Sequence, residues 1–212
     1  METRTRVKIC GITNREDAEM AIALGADALG FNAWPGSKRF IDLKKEAGWI
    51  RDLPPLVTKV AVMVNPPVSE VEAVAAMPFI DLVQFHGCED AVFCAYFAKA
   101  GIPFIKAIAL RDASSLEDIG RFSTRNILLD AYSAGAFGGT GRLLDLELAS
   151  AFFADHPELR VTLSGGLNPE NVKNAIQRVK PYAVDVASGV EQEPRRKERG
   201  LVAAFFQGAC GD

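Results

Sequence analysis

Cys10 in VKICGIT and Asp130 in NILLDA are the residues of this 212-residue chain whose type and setting best suit proton transfer. Each ends an apolar run, so each would be presented where a strand stops. A thiol acts as a base only as thiolate, which requires an electropositive or strongly donating setting. Taken alone, Cys10 reads more simply as a buried structural thiol, because free cysteine is among the most buried residue types. Asp130 favours function over a structural cap or ion pair, since a carboxylate ending the run ILLD would be costly in a core. VKICGIT holds nothing that would obviously lower the thiol's pKa except Lys8, whose orientation the sequence leaves open.

Other residues could hold a substrate rather than react with it. In SGGLNPENV, Gly165 and Gly166 let the backbone approach a ligand, with Asn168 a natural N-cap and Pro169 suited to the first helical position. SGVE at 188–191 offers a second set of backbone donors around Ser188 and Gly189. Either segment alone is a weak phosphate signal, because turns need glycine anyway. In FNAWPGSKRFI, Arg39 follows a Pro35-Gly36 turn and could pair with a carboxylate or simply face solvent. His86 in LVQFHG reads as a packed or hydrogen-bonded residue before a catalytic one. The glycine-rich loop 131–142 is a lid or merely a long connection.

These residues need a scaffold that gathers strand ends. Apolar, β-branched runs recur at 7, 28, 59, 82, 104, 126, 161 and 183, and segments of helical spacing such as REDAEMAIALG and NPENVKNAIQRVK lie between them. Near-continuous apolar strands suit a parallel sheet covered on both faces, and eight strand–helix units in this length predict a single-domain (β/α)8 TIM barrel over 1–212. An open doubly wound sheet is the alternative. The segment SSLEDIGRFSTR is short, so the helix after strand 5 is expected to be shortened or absent. In such a barrel the active site gathers at the C-terminal strand ends, and the loops after strands 7 and 8 frequently bind phosphate. Cys10 and Asp130 would then face each other across the barrel mouth, as a plausible acid–base pair.

Composition removes several function classes. A net charge of -3 with scattered Lys and Arg gives no basic face for nucleic acid. There is no signal-like N-terminal stretch and no run of roughly 18 uncharged apolar residues, which predicts a cytoplasmic protein with no membrane association. Four cysteines without C-x-x-C spacing read as free thiols, and the two distant histidines, His86 and His156, argue against structural zinc.

The ordered set KICGIT, GADALGF with PGSKRFI, VQFHG, LLDA with GGTG, SGGLNPENV and VDVASGVE resembles the phosphoribosylanthranilate isomerases of tryptophan biosynthesis. The resemblance implies a (β/α)8 enzyme that performs an Amadori rearrangement on a small phosphorylated substrate, with neither metal nor organic cofactor, as a monomer or homodimer. It also implies roles: Asp130 as general acid, Cys10 as general base, Arg39 on the anthranilate carboxylate, and backbone around Gly165, Gly166, Ser188 and Gly189 on the phosphate. Some positions depart from the family's pattern. Ala33 stands for an aromatic, Lys38 for a proline, Leu144-Asp145-Leu146 for Phe-Asp-Trp, Arg195 for a glycine and Glu198 for an aspartate. A histidine-pathway sugar-phosphate isomerase would need aspartate at position 10 and a second phosphate loop after strand 3 or 4, and a catalytically inert barrel would lack the acid or the base.

Overall fold

Successive side chains of a strand point to opposite faces, and in this chain the two sets separate cleanly. A computed structural model describes residues 4–117, 119–131 and 145–211. Its eight parallel strands are β1 (Arg6–Cys10), β2 (Ala28–Asn32), β3 (Thr58–Met63), β4 (Leu82–Phe85), β5 (Phe104–Leu110), β6 (Asn126–Ala131), β7 (Arg160–Leu163) and β8 (Ala183–Val186). They pair in sequence order and close, β8 against β1, into a barrel. The expected (β/α)8 architecture is therefore present, and the open sheet is not.

One set of strand residues faces outward. Val7, Ile9, Leu29, Phe31, Leu129 and Val184 are buried in one cluster with residues of the surrounding helices. The other set fills the barrel. Leu82, Ile105, Ala107 and Leu128 form a small separate cluster there. Around and above it the interior is polar: Lys8, Gln84, Asp130, Thr162 and Asp185 on the strands, and Ser164 just after β7, are all buried. Asp130 thus ends an apolar run without entering the outer core, because Ile127 and Leu129 face out while Leu128 and Asp130 face in.

The outer layer, among the described residues, comprises α1 (Arg15–Ala23), α2 (Ala47–Arg51), α3 (Val68–Ala75), α4 (Ala91–Lys99), α5 (Leu146–Asp155), α6 (Val172–Val179) and α7 (Arg199–Cys210). After β5 no α-helix stands among the described residues, in line with the expectation of a shortened or absent helix. Two 3-10 turns, Ala113–Leu116 and Ile119–Phe122, stand in its place and bury Leu116, Ile119 and Phe122. On this side Lys106 of β5 pairs with Glu89 at 2.6 Å, both side chains being nearly inaccessible.

The segments that depart from the resembled pattern have local consequences. Asp145 caps α5 by accepting from the N–H groups of Glu147 and Leu148. Glu198, in place of the family's aspartate, caps α7 in the same way through Gly200 and Leu201. Arg195, in place of a glycine, keeps a left-handed backbone with φ 78°, and its carbonyl accepts from the Thr13 hydroxyl at 3.1 Å. The turn at Arg195 belongs to a hairpin, β9 (Glu191–Glu193) and β10 (Arg196–Lys197), that lies between β8 and α7.

Candidate active site

Cys10, Arg39, His86, Asp130, Ser164 and Asp185 line one cavity at the C-terminal end of the barrel. The structure so brings together the candidate base, the candidate acid and the candidate carboxylate ligand. Beyond Ala131, the loop 131–142 lies outside the described residues, as does Leu144.

Asp130 is held at both oxygens. Oδ1 accepts from the N–H of Ala131 at 2.8 Å, while Oδ2 lies 3.1 Å from Nε2 of His86. The other ring nitrogen of His86 meets the amide nitrogen of Gln84 at 2.7 Å. The imidazole thus bridges the Gln84 amide and the Asp130 carboxylate, and its tautomer sets which atom donates at each end. His86, which its sequence context marks as packed before catalytic, is hydrogen-bonded, and its partner is the candidate acid.

Cys10 is partly accessible and has no disulfide partner. Burial pushes its thiol pKa up; Lys8 and Lys197 oppose that shift by charge, Asp185 reinforces it, and the balance stays above the ordinary thiol value. The orientation of Lys8 is now plain. It points into the barrel, where Nζ donates to Asp185 Oδ1 at 2.7 Å. The pairing follows from closure, because Lys8 and Asp185 are direct register partners on β1 and β8. A Cβ built on Gly30 would stand 2.7 Å from Cys10 Sγ and 3.1 Å from Lys8 Nζ, so glycine on β2 leaves room for both groups.

Arg39 is already engaged. Nε and Nη2 donate to the two carboxylate oxygens of Glu191 at 2.8 and 2.6 Å, and Lys197 Nζ donates to the same carboxylate at 2.9 Å. Burial raises the Glu191 pKa, but Arg39 and Lys197 outweigh it and hold the carboxyl below the usual range. Burial likewise lowers Lys197, and Glu191 restores only part of the loss. The Arg39 stem lies directly over Gly11, where a Cβ would collide with it. Glu191 and Lys197 are site residues that the motifs did not single out. A charged pair in a short hairpin without apolar period gives no such signal until Arg39 is placed beside it.

The two candidate phosphate segments touch each other. A Cβ at Gly189 would run into the carbonyl of Leu167, so the turn after β8 is pressed onto the loop after β7. Gly165 and Gly166 both have left-handed φ, 91° and 68°. A Cβ at Gly165 would lie 2.5 Å from the Ala131 nitrogen and 3.0 Å from Asp130 Oδ1, which ties this loop to the candidate acid. Ser188 opens a 3-10 turn, Ser188–Val190. Asn168 does cap a turn, accepting from the N–H groups of Glu170 and Asn171, but α6 itself starts later, at Val172. Donors at 170 and 171 are therefore occupied internally.

Among the described residues no group of three or more His, Cys, Asp or Glu side chains could hold a metal ion, and no helix is long and apolar enough to cross a membrane.

Comparison with known proteins agrees along the whole chain. The N-(5'-phosphoribosyl)anthranilate isomerase of Geobacter metallireducens is 45% identical over 204 residues, 96% of this chain and 98% of its own length. That of Nitrosomonas eutropha is 42% identical over 207 residues, covering 97% and 96%. The crystal structure of phosphoribosyl anthranilate isomerase from Thermotoga maritima superposes with a TM-score of 0.88 at 38% identity, covering 98% of this chain and all of that one. Another such structure, in complex with reduced 1-(o-carboxyphenylamino)-1-deoxyribulose 5-phosphate, superposes with a TM-score of 0.84 at 37% identity, with the same coverage. The family model described as N-(5'phosphoribosyl)anthranilate (PRA) isomerase matches residues 7–208, and the chain belongs to that family.

Proposed function

We propose that Cys10 is the general base and Asp130 the general acid of this isomerase, with Arg39 as the carboxylate ligand and the backbone at Gly165, Gly166, Ser188 and Gly189 as the phosphate ligand. The reaction is the Amadori rearrangement of N-(5'-phosphoribosyl)anthranilate to 1-(2-carboxyphenylamino)-1-deoxyribulose 5-phosphate, a step of tryptophan biosynthesis.

Asp130 in its protonated form gives a proton to the ribose ring oxygen, and the C1′–O bond opens to a Schiff base. The Cys10 thiolate then removes the proton from C2′. The iminium nitrogen accepts the electron pair, so one moderately basic thiolate suffices, and the enolamine that results tautomerises to the ketone. A thiol whose pKa is pushed up by burial is a stronger base once ionised, although it is less often ionised at neutral pH. The His86 ring at Oδ2 and the Ala131 N–H at Oδ1 together fix the plane of the Asp130 carboxyl.

Arg39 offers a substrate carboxylate the guanidinium edge that Glu191 leaves open. With Nε and one N–H of Nη2 committed to Glu191, the outer edge formed by Nη1 and Nη2 remains for a second carboxylate in bidentate geometry. Glycines pressed against Ala131 and Leu167 keep the β7 and β8 turns close to the acid, with no side chain to hold a phosphate away from the backbone. Clamping the substrate at both ends holds C1′ and C2′ between acid and base, which contributes through orientation.

The observation that carries the reading is the shared cavity: Cys10 from β1, Arg39 from the loop after β2 and Asp130 from β6 line one opening. Free cysteines among the described residues agree with a reducing, cytoplasmic setting, and the near-neutral charge balance with a small-molecule substrate rather than nucleic acid. The chain acts as a monomer or a homodimer, a dimeric phosphoribosylanthranilate isomerase being among its structural relatives. The purified protein should consume phosphoribosylanthranilate, followed by loss of its fluorescence, and no such loss would contradict the assignment.

A further inference from the structure

We propose that Lys8, clamped by Asp185, is a positioning residue that supplies the counter-charge for the Cys10 thiolate. The proposal rests on the reading of Cys10 as the base.

Lys8 and Cys10 lie two residues apart on β1, so both side chains enter the barrel on the same face, the ammonium one layer below the sulfur. Their positions on either side of Gly30 bring the two groups together over β2. Nζ is further fixed by Asp185, whose second oxygen accepts from the Ser164 hydroxyl at 3.2 Å. Both members of the ion pair have side chains only 5% exposed.

Fold stability is a poor explanation for this pair. Two charges taken out of water regain little net free energy from each other, and apolar residues of similar volume usually serve as well or better. A fixed ammonium beneath a thiol has a direct chemical use. Ionisation of Cys10 releases its proton to solvent and leaves a sulfur anion in a partly enclosed cavity, where an adjacent positive charge is much more effective than in water. Burial lowers the Lys8 pKa, but Asp185 outweighs it and holds the ammonium above its ordinary value, so the counter-charge is in place where the thiol titrates.

Other charged groups also face Cys10. Lys197 of the hairpin and Arg39 of the β2 loop add positive charge, Asp185 of β8 adds negative charge, and His86 and Asp130 line the far side of the cavity. Lys8 is the largest favourable contributor among them, and Asp185 acts in the opposite sense.

The test is the pH dependence of iodoacetamide alkylation at Cys10, read on the Cys10 peptide by mass spectrometry so that Cys88, Cys94 and Cys210 do not contribute. Lys8→Met should raise the alkylation midpoint by about one pH unit or more, and Lys8→Arg should restore most of that shift, a recovery that loss of packing alone would not produce. If Lys8→Met fails to fold, Lys8→Met/Asp185→Asn removes both charges together and should still raise the midpoint, by a smaller amount. A folded variant lacking the Lys8 charge with an unchanged or lowered midpoint would overturn the proposal. The kcat/KM profile separates the two claims: a shifted alkylation midpoint with an unshifted rate profile would uphold the action of Lys8 on the thiol and remove Cys10 as the base.

Discussion

Arg39 and Glu191 lie 152 residues apart and meet in two parallel hydrogen bonds of 2.8 and 2.6 Å at the rim of the cavity that holds Cys10 and Asp130. The guanidinium is thereby aimed before any substrate arrives. Arg39→Lys keeps a positive charge but loses the planar fork, so it should raise KM for phosphoribosylanthranilate by roughly tenfold while changing kcat less. Glu191→Gln should raise KM in the same direction by a smaller factor. Steady-state kinetics on the two variants checks this, and an unchanged KM in Arg39→Lys would remove Arg39 from substrate binding.

Acid should release the same cluster. The folded Glu191 carboxyl titrates below its unfolded value because Arg39 and Lys197 hold the anion. Its contribution to stability is therefore complete above the unfolded glutamate value, about 4.3, and is lost as pH falls through the lower folded value. The Tm of the wild type should exceed that of Glu191→Gln at pH 7 by a few degrees, at about 2–4 °C per kcal/mol for a chain of this size. The gap should shrink below about pH 4. A constant gap down to pH 3 would contradict the coupling.

Arg195 occupies a left-handed backbone position, φ 78°, a conformation that favours glycine. An L-residue there costs roughly 1 kcal/mol of local strain. Arg195→Gly should raise stability in urea by about 0.5 kcal/mol or less, the strain relieved minus the added freedom of the unfolded chain. A loss of stability would mean that the arginine side chain contributes more than its backbone costs.

The scaffold was largely legible because parallel strands covered on both faces must be almost continuously apolar, and all eight runs became strands of one barrel. The missing helix after β5 was legible from length alone. Cys10 and Asp130 could be picked out because each ends an apolar run, and the barrel brings such ends together. Lys8 and Asp185 carried a related signal, one charge inside VKIC and one inside AVDV, but the meaning appears only when β1 closes against β8 and the two become register partners. Glu191 and Lys197 carried none, because their hairpin has no apolar period and their importance depends on where Arg39 reaches. His86 read as packed before catalytic, and only the closed barrel reveals its partner as Asp130.

The central claim is the division of labour between Cys10 and Asp130, and turnover of phosphoribosylanthranilate by single variants tests it most directly. Cys10→Ser and Asp130→Asn should each lower kcat by about 10²-fold or more with folding and substrate affinity largely retained, as expected when a positioned base or acid is removed. Near wild-type kcat in either variant would contradict the account.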